Sequence, residues 1–313
     1  MTALISIPPS SLTEMRPDAA VGEQRGRTYC EQLEQGNILF FETSPLAITA
    51  EERDFLIRQR QSSARFHKNI SYWYNKDHIT GVAGESAGEQ ERIRAVMRAY
   101  AERVKELLEI LLPDYAAAAR FDVTSFRPQE EHGRKARIHA RNDLLHVDSF
   151  PTRPTYGDRI MRVFTNVNPG AARIWITGET FEGLIERFSK TSEAPLLKAF
   201  ASPRGPMQTL RASVEWMARQ MKLPIRAHSP YDEFMHRFHN FLKDNSGYQE
   251  ACPKTRWEFP PGCTWIVFTD MVSHAVLSGQ FALEQTCFIP MRALAVPEKA
   301  PYSIVERLRA APT

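Results

Sequence analysis

A single His-x-Asp occurs in the chain, His146 and Asp148 within NDLLHVDSF. In extended backbone, side chains two apart share a face, so this imidazole and this carboxylate can reach one metal ion. A second imidazole from a distant strand would complete a two-histidine, one-carboxylate set. Such a set covers one face of an octahedral ferrous ion and leaves positions for an oxo-acid and O2. The short pattern is weak alone, because a polar turn closing a strand reads the same way. Its surroundings carry more. Leu144, Leu145, Val147 and Phe150 place the pair near a core, where polar groups need partners.

Four histidines follow Asp148: His228, His236, His239 and His274. His236 and His239 sit i and i+3 on an aromatic helical stretch, and His228 precedes Ser-Pro in a loop. His274 follows a Pro-Pro-Gly-Cys turn and the apolar run TWIVF, at the entry to another strand. A rigid strand end holds a ligand best, so His274 is the expected third ligand. Asp270 or Ser273 would orient it. An oxo-acid's far carboxylate calls for a guanidinium, whose fork matches it bidentately. Arg162 is favoured for that role, with Arg292 as its competitor. Arg127, Arg173 and Trp175 belong to strands expected to flank the site. With Arg134, Lys135, Arg137, His139 and Arg141 they suggest an acidic substrate, carboxylate- or phosphate-bearing. A solvated basic face would use the same residues. A basic mouth would also dock on an anionic membrane surface.

The elements that must position these side chains are legible as changes of period. Residues 36–42 read as a short buried strand, and Thr49 with Glu52 as a capping box opening a helix to about 61. Residues 71–74, SYWY, read as a strand or a contact surface. Ile93, Val96, Met97, Tyr100, Val104, Leu107, Leu108 and Leu111 recur at helical spacing over 88–112, and Pro113 stops that helix. Short strands are expected at 121–126, 144–147, 159–167 and 172–177. Helical stretches follow at 180–188, 207–221 and 232–242, then strands at 256–259, 264–270, 274–277 and 283–290. Strands, a helical insert and strands again give a mainly β chain with flanking helices. Its core is a double-stranded β-helix, or jelly roll, in which early and late strands pair. The expected division is 1–120 as an N-terminal strand with supporting helices, and 121–313 as the core with an insert at about 180–245, together one unit.

The 313 residues are 42% hydrophobic and 25% charged, ordinary for a folded chain, and the net charge is +3. That total gives no general nucleic-acid footprint, although local patches matter more than the sum. Cys30, Cys252, Cys263 and Cys287 show no paired or zinc-like spacing, as expected of free thiols in a reducing compartment. The first 18 residues lack the basic start and apolar centre of a signal peptide. No apolar run approaches the roughly 20 residues a bilayer span needs. The expected location is the cytoplasm, peripheral to a membrane.

The block HVDSFPTRPTYGDRIMRVFTNVNP, the following ARIW and the late TWIVFTDMVSHAVLSGQFALEQTCF resemble the Kdo hydroxylases, over most of the chain from GNILFF onward. These are Fe(II)/2-oxoglutarate-dependent enzymes of Gram-negative bacteria. They hydroxylate position 3 of 3-deoxy-D-manno-oct-2-ulosonic acid (Kdo) in Kdo–lipid A, giving D-glycero-D-talo-oct-2-ulosonic acid. The resemblance implies iron at His146, Asp148 and His274, 2-oxoglutarate near Arg162, and a sugar-acid pocket near Arg127, Arg173 and Trp175. It implies a lipopolysaccharide precursor as partner, at the inner face of the inner membrane, and neither nucleic acid nor a protein partner. Two other readings fit the residues alone: another 2-oxoglutarate oxygenase with a different acidic substrate, and a metal-free jelly-roll module binding anionic glycans. No His-Glu-x-x-His supports a hydrolase.

Overall fold

The computed structural model describes residues 1–8, 19–62, 69–84, 86–190 and 228–310. In chain order the elements are β1 (Leu4–Ser6), α1 (Ala19–Glu34), β2 (Ile38–Phe41), α2 (Ala50–Arg58), β3 (Ile70–Trp73), β4 (His78–Thr80), α3 (Ala87–Leu111), α4 (Pro113–Ala116) and β5 (Arg120–Arg127). Next come β6 (Arg159–Asn166), β7 (Arg173–Thr180), α5 (Phe181–Ser189), α6 (Pro230–Asp244) and α7 (Ser246–Ala251). The chain closes with β8 (Thr255–Phe259), β9 (Thr264–Phe268), β10 (Val272–Ser278), β11 (Ala282–Ile289) and α8 (Pro301–Ala310). The helix expected over 207–221 lies outside the described residues.

Most boundaries fall within two or three residues of the expected ones, because strong local signals set them. Thr49 accepts from the Glu52 amide while Glu52 reaches back, the capping box that opens α2. Ser86 and Glu89 do the same for α3. Leu112 leaves the helical region at φ −137°, and Pro113 then occupies the first turn of α4, where its missing N–H costs nothing.

Two sheets face each other. Among the described residues the larger has eight strands in the order β1-β2-β9-β6-β11-β5-β3-β4, antiparallel except for the β1–β2 pair. The smaller has the order β10-β7-β8 and is antiparallel throughout. Late strands lie between early ones, as a jelly roll requires: β11 separates β5 from β6. On the outer face of the large sheet, α3 buries Ile93, Met97, Tyr100, Val104, Leu108 and Leu111. The Tyr100 hydroxyl reaches the Val163 carbonyl (3.3 Å) and Thr165 Oγ1 (3.2 Å), fixing that helix behind β6. Odd-numbered residues of β6 therefore face α3, and Arg162 and Phe164 face the other sheet.

One expected strand is absent. Residues 144–147 form a single isolated bridge, His146 with His274. The cause is alternation of backbone partners. The Leu145 amide and carbonyl are both taken by the Gln249 side chain of α7. His146 exchanges both its bonds with His274, at 3.1 and 2.9 Å, and the Asp148 amide turns to the Thr269 carbonyl at 2.8 Å. The expected juxtaposition of early and late segments is nonetheless formed by that one bridge.

Candidate metal centre and adjoining cavity

His146, Asp148 and His274 converge, with ligand atoms all within 4.8 Å of one another. Nε2 of His146 lies 3.6 Å from Asp148 Oδ1, and Nε2 of His274 lies 4.0 Å from Oδ2. Each imidazole Nδ1 faces a backbone carbonyl two residues earlier: Leu144 for His146 (2.7 Å) and Val272 for His274 (3.0 Å). Donation by Nδ1–H leaves the Nε2 lone pair free to ligate. The Val272 carbonyl thus does what Asp270 or Ser273 was expected to do. Asp270 instead closes a buried ion pair with Arg159 (Nε–Oδ2 2.9 Å), and Ser273 Oγ accepts from Tyr248 Oη (2.7 Å).

The electrostatics suit a cation. Burial holds His146 well below its usual range and lowers His274, so both imidazoles are neutral at neutral pH. Burial alone would push Asp148 up, but the Arg162 guanidinium and the His146 ring hold it well below the usual carboxylate range. Asp148 Oδ2 has no hydrogen-bond partner among the described residues, although Arg162 Nη2 is 3.0 Å away, because the two are poorly aligned. An orphaned, buried carboxylate oxygen between two free imidazole nitrogens fits a divalent ion bound on one face.

The three ligands open onto a cavity of 780 Å³ between the sheets. Its walls are alternate residues of five strands: Ser125 and Arg127 of β5, Arg162 and Phe164 of β6, Arg173 and Trp175 of β7, His274 and Val276 of β10, Glu284 and Thr286 of β11. Period two brings alternate residues of each strand to the wall, at least one of them charged or polar in every strand. Trp175 stacks on the His274 ring at 5.3 Å and packs edge-on to Phe164 and Trp265, walling off one side. Helix α6 covers another side. His239 holds the Val147 carbonyl (2.7 Å) and sits edge-on to His146. His236 lines the cavity further out, and His228 holds the Pro151 carbonyl instead.

The expected basic residues fall into distinct environments. Arg162 is buried, and its Nε has no partner among the described residues; Nη1 lies 3.0 Å from Glu284 Oε1. Arg127 is hydrogen-bonded to Glu284 Oε2 through Nε (2.9 Å). Arg173 is 1% exposed, donates to the Gly279 carbonyl (3.0 Å) and is 3.7 Å from Glu131. Burial lowers it to about 10, the mark of a cation without enough counter-charge. Arg292 lies in the turn Met291–Ala293, outside the cavity lining. Sequence reasoning missed Glu284, Glu131 and Lys243. Glu284 could have been found as the one acid in the apolar strand ALEQTCFI. Lys243, whose ammonium donates to the carbonyls of His139 and Arg141, carried no such signal.

A family model described as 3-deoxy-D-manno-oct-2-ulosonic acid (Kdo) hydroxylase matches residues 16–312. None of the curated proteins compared matches. Among solved structures, the Kdo hydroxylase KdoO, a non-heme Fe(II) alphaketoglutarate dependent dioxygenase, is similar in several states. In complex with alphaketoglutarate and Fe(III) it is 32% identical over 98% of this chain and 95% of its own, with a TM-score of 0.78. Its apo form is 31% identical over 99% and 97%, with a TM-score of 0.79. Its cobalt(II) complex is 32% identical over 99% and 96%, with a TM-score of 0.80. On this match of nearly the whole chain, and with a three-ligand site of the kind such enzymes need, the protein belongs to the Kdo hydroxylase family and is a non-haem Fe(II)/2-oxoglutarate-dependent dioxygenase.

Proposed function

We propose that this enzyme hydroxylates position 3 of Kdo within Kdo–lipid A, consuming 2-oxoglutarate and O2 and releasing succinate and CO2. His146, Asp148 and His274 hold the iron, and Arg162 takes the distal carboxylate of 2-oxoglutarate. When bound, the ferrous ion with its cosubstrates supplies the oxidation that inserts one oxygen into a C–H bond. The protein's part is to hold, orient and keep dry. Arg173 and Arg127 receive the sugar's carboxylate, and Trp175 and Phe164 exclude water beside the reacting carbon. The observation that carries this reading is the set of buried guanidiniums, Arg162 above all, facing the same cavity as the three ligands.

The lipid context is supported by the cavity mouth. Arg137, Ile138, His139 and Ala140 line it, and Ile138 is 44% exposed. An exposed guanidinium, Arg137, beside an exposed apolar side chain suits an anionic bilayer surface. No helix among the described residues is long and apolar enough to cross a membrane. The chain is read as one structural unit, since β2 of the N-terminal segment pairs with β9 of the core, and a substrate anchored in a membrane favours a peripheral, cytoplasmic location on the inner membrane.

Succinate release by the Fe(II)-loaded protein tests the reading. It should be fast with Kdo–lipid A in anionic vesicles, slower with free Kdo, and absent without either. Product mass should rise by one oxygen. Equal turnover of an unrelated sugar acid would favour a different acidic substrate.

A further inference from the structure

Glu284 lies at the middle of β11, and its register places it between the two arginines assigned to the two acids. Across one edge of β11, Thr286 pairs with Arg162. Across the other, Ala282 pairs with Arg127. Glu284 is two residues from each, on the same face, so each arginine reaches it along a diagonal of the sheet. The carboxylate is divided accordingly. Oε1 faces Arg162 Nη1 (3.0 Å) and accepts from Thr286 Oγ1 (3.1 Å). Oε2 accepts from Arg127 Nε (2.9 Å) and from its Nη2. The residue is 2% exposed, so no solvent competes for either oxygen.

A carboxylate inside a cavity built for two acids is unfavourable unless it does something there. It repels both ligands, and a neutral side chain would leave the pocket more cationic. It compensates two buried cations before either acid arrives, and it can also act geometrically. A guanidinium presents a carboxylate with a planar fork, and that fork works only when its plane is fixed. Among the described residues Arg162 has no partner at Nε, so its plane is set by contacts at its tip, Glu284 at Nη1 and Asp148 at Nη2 (3.0 Å each). We infer that Glu284 is a positioning residue shared by both acid sites: one oxygen aligns Arg162 for 2-oxoglutarate and the other aligns Arg127 for the sugar acid. The two binding events are thereby tied to one side chain. This rests on the assignment of Arg162 and Arg127 to those two acids.

Calorimetric titration of the anaerobic Fe(II)-loaded protein tests it, first with 2-oxoglutarate and then, at saturating 2-oxoglutarate, with free Kdo. Glu284→Gln should weaken both acids by about tenfold or more. In an Arg162→Ala background it should no longer alter 2-oxoglutarate binding, and in an Arg127→Ala background it should no longer alter Kdo binding. Weakening of one acid alone, or an undiminished effect in both arginine-lacking backgrounds, overturns the inference. Should Glu284→Gln not fold, Glu284→Asp keeps the charge while withdrawing it by one methylene, and the same paired loosening is expected. Separately, if Arg162→Ala alone leaves 2-oxoglutarate binding intact, the assignment of that arginine fails rather than the role of Glu284.

Discussion

The sequence favours Arg162 over Arg292, each a cation some way past an expected metal ligand, and their surroundings differ. Arg162 is buried on the cavity wall with an Nε that has no partner among the described residues, whereas Arg292 lies outside the lining. Arg162→Ala should raise the 2-oxoglutarate requirement at least about tenfold, the loss of a charge-assisted bidentate pair. Arg292→Ala should change it less than about twofold, as for a distant surface cation. Steady-state titration of the cosubstrate decides, and the reverse pattern would exchange their roles. Glu284 also fixes a pH dependence. Burial would raise it, but Arg127 and then Arg162 hold it at about 2, against an ordinary 4.5. A carboxylate depressed by folding stabilises above its unfolded value and loses that contribution as pH falls through its folded one. Thermal unfolding of wild type and Glu284→Gln should therefore differ by a constant amount above pH 4.5. The difference should close between there and about pH 2.

At the scale of elements, the short connection that carries the chain from β10 in the small sheet to β11 in the large one decides where Arg173 sits. Gly279 has φ +130° and its carbonyl accepts from Arg173 Nη1, while its amide donates to Glu130 Oε1 (2.6 Å). A Cβ there would come within 2.6 Å of Arg173 Cγ and 3.0 Å of its Cα. Gly279→Ala is expected to cost about 1–3 kcal/mol, from overpacking and an unsuitable backbone angle together. It should also weaken sugar-acid binding, because Arg173 must move. A lowered melting temperature with unchanged Kdo affinity would separate Arg173 from substrate recognition. The segment at 144–148 teaches a related lesson. It places two ligands precisely enough without being a strand, because Gln249, His274 and Thr269 each hold one stretch of its backbone.

At the scale of the whole molecule, an ion at the candidate site would tie the 146–148 segment to the small sheet. His274 belongs to the small sheet, and His146 and Asp148 belong to a segment tied to it by one bridge. Arg162 beside them belongs to the large sheet. An ion bound by the native state and not by the unfolded chain adds RT ln(1 + [L]/Kd), about 2.7 kcal/mol at a hundredfold excess over Kd. Anaerobic Fe(II) should therefore raise the melting temperature of the wild type. His274→Ala should fold without that rise, and an undiminished rise in the variant would place the ion elsewhere.

The convergence of His146, Asp148 and His274, the sheet-rich architecture and most element boundaries were legible in the sequence. They rest on local chemistry: the lone His-x-Asp, the capping box at Thr49, the period-two runs and the apolar stripe of α3. The partnerships among charges were not legible. Whether Asp270 turned to His274 or to Arg159, whether Arg162 or Arg292 reached the cavity, and that Glu284 stood between two arginines all depend on strand register. Register is a property of pairing between segments more than a hundred residues apart, and a shift of one residue would send each of these side chains to the opposite face of its sheet. Alternation along a strand dictates which residues share a face; only the assembled sheets decide which charge meets which.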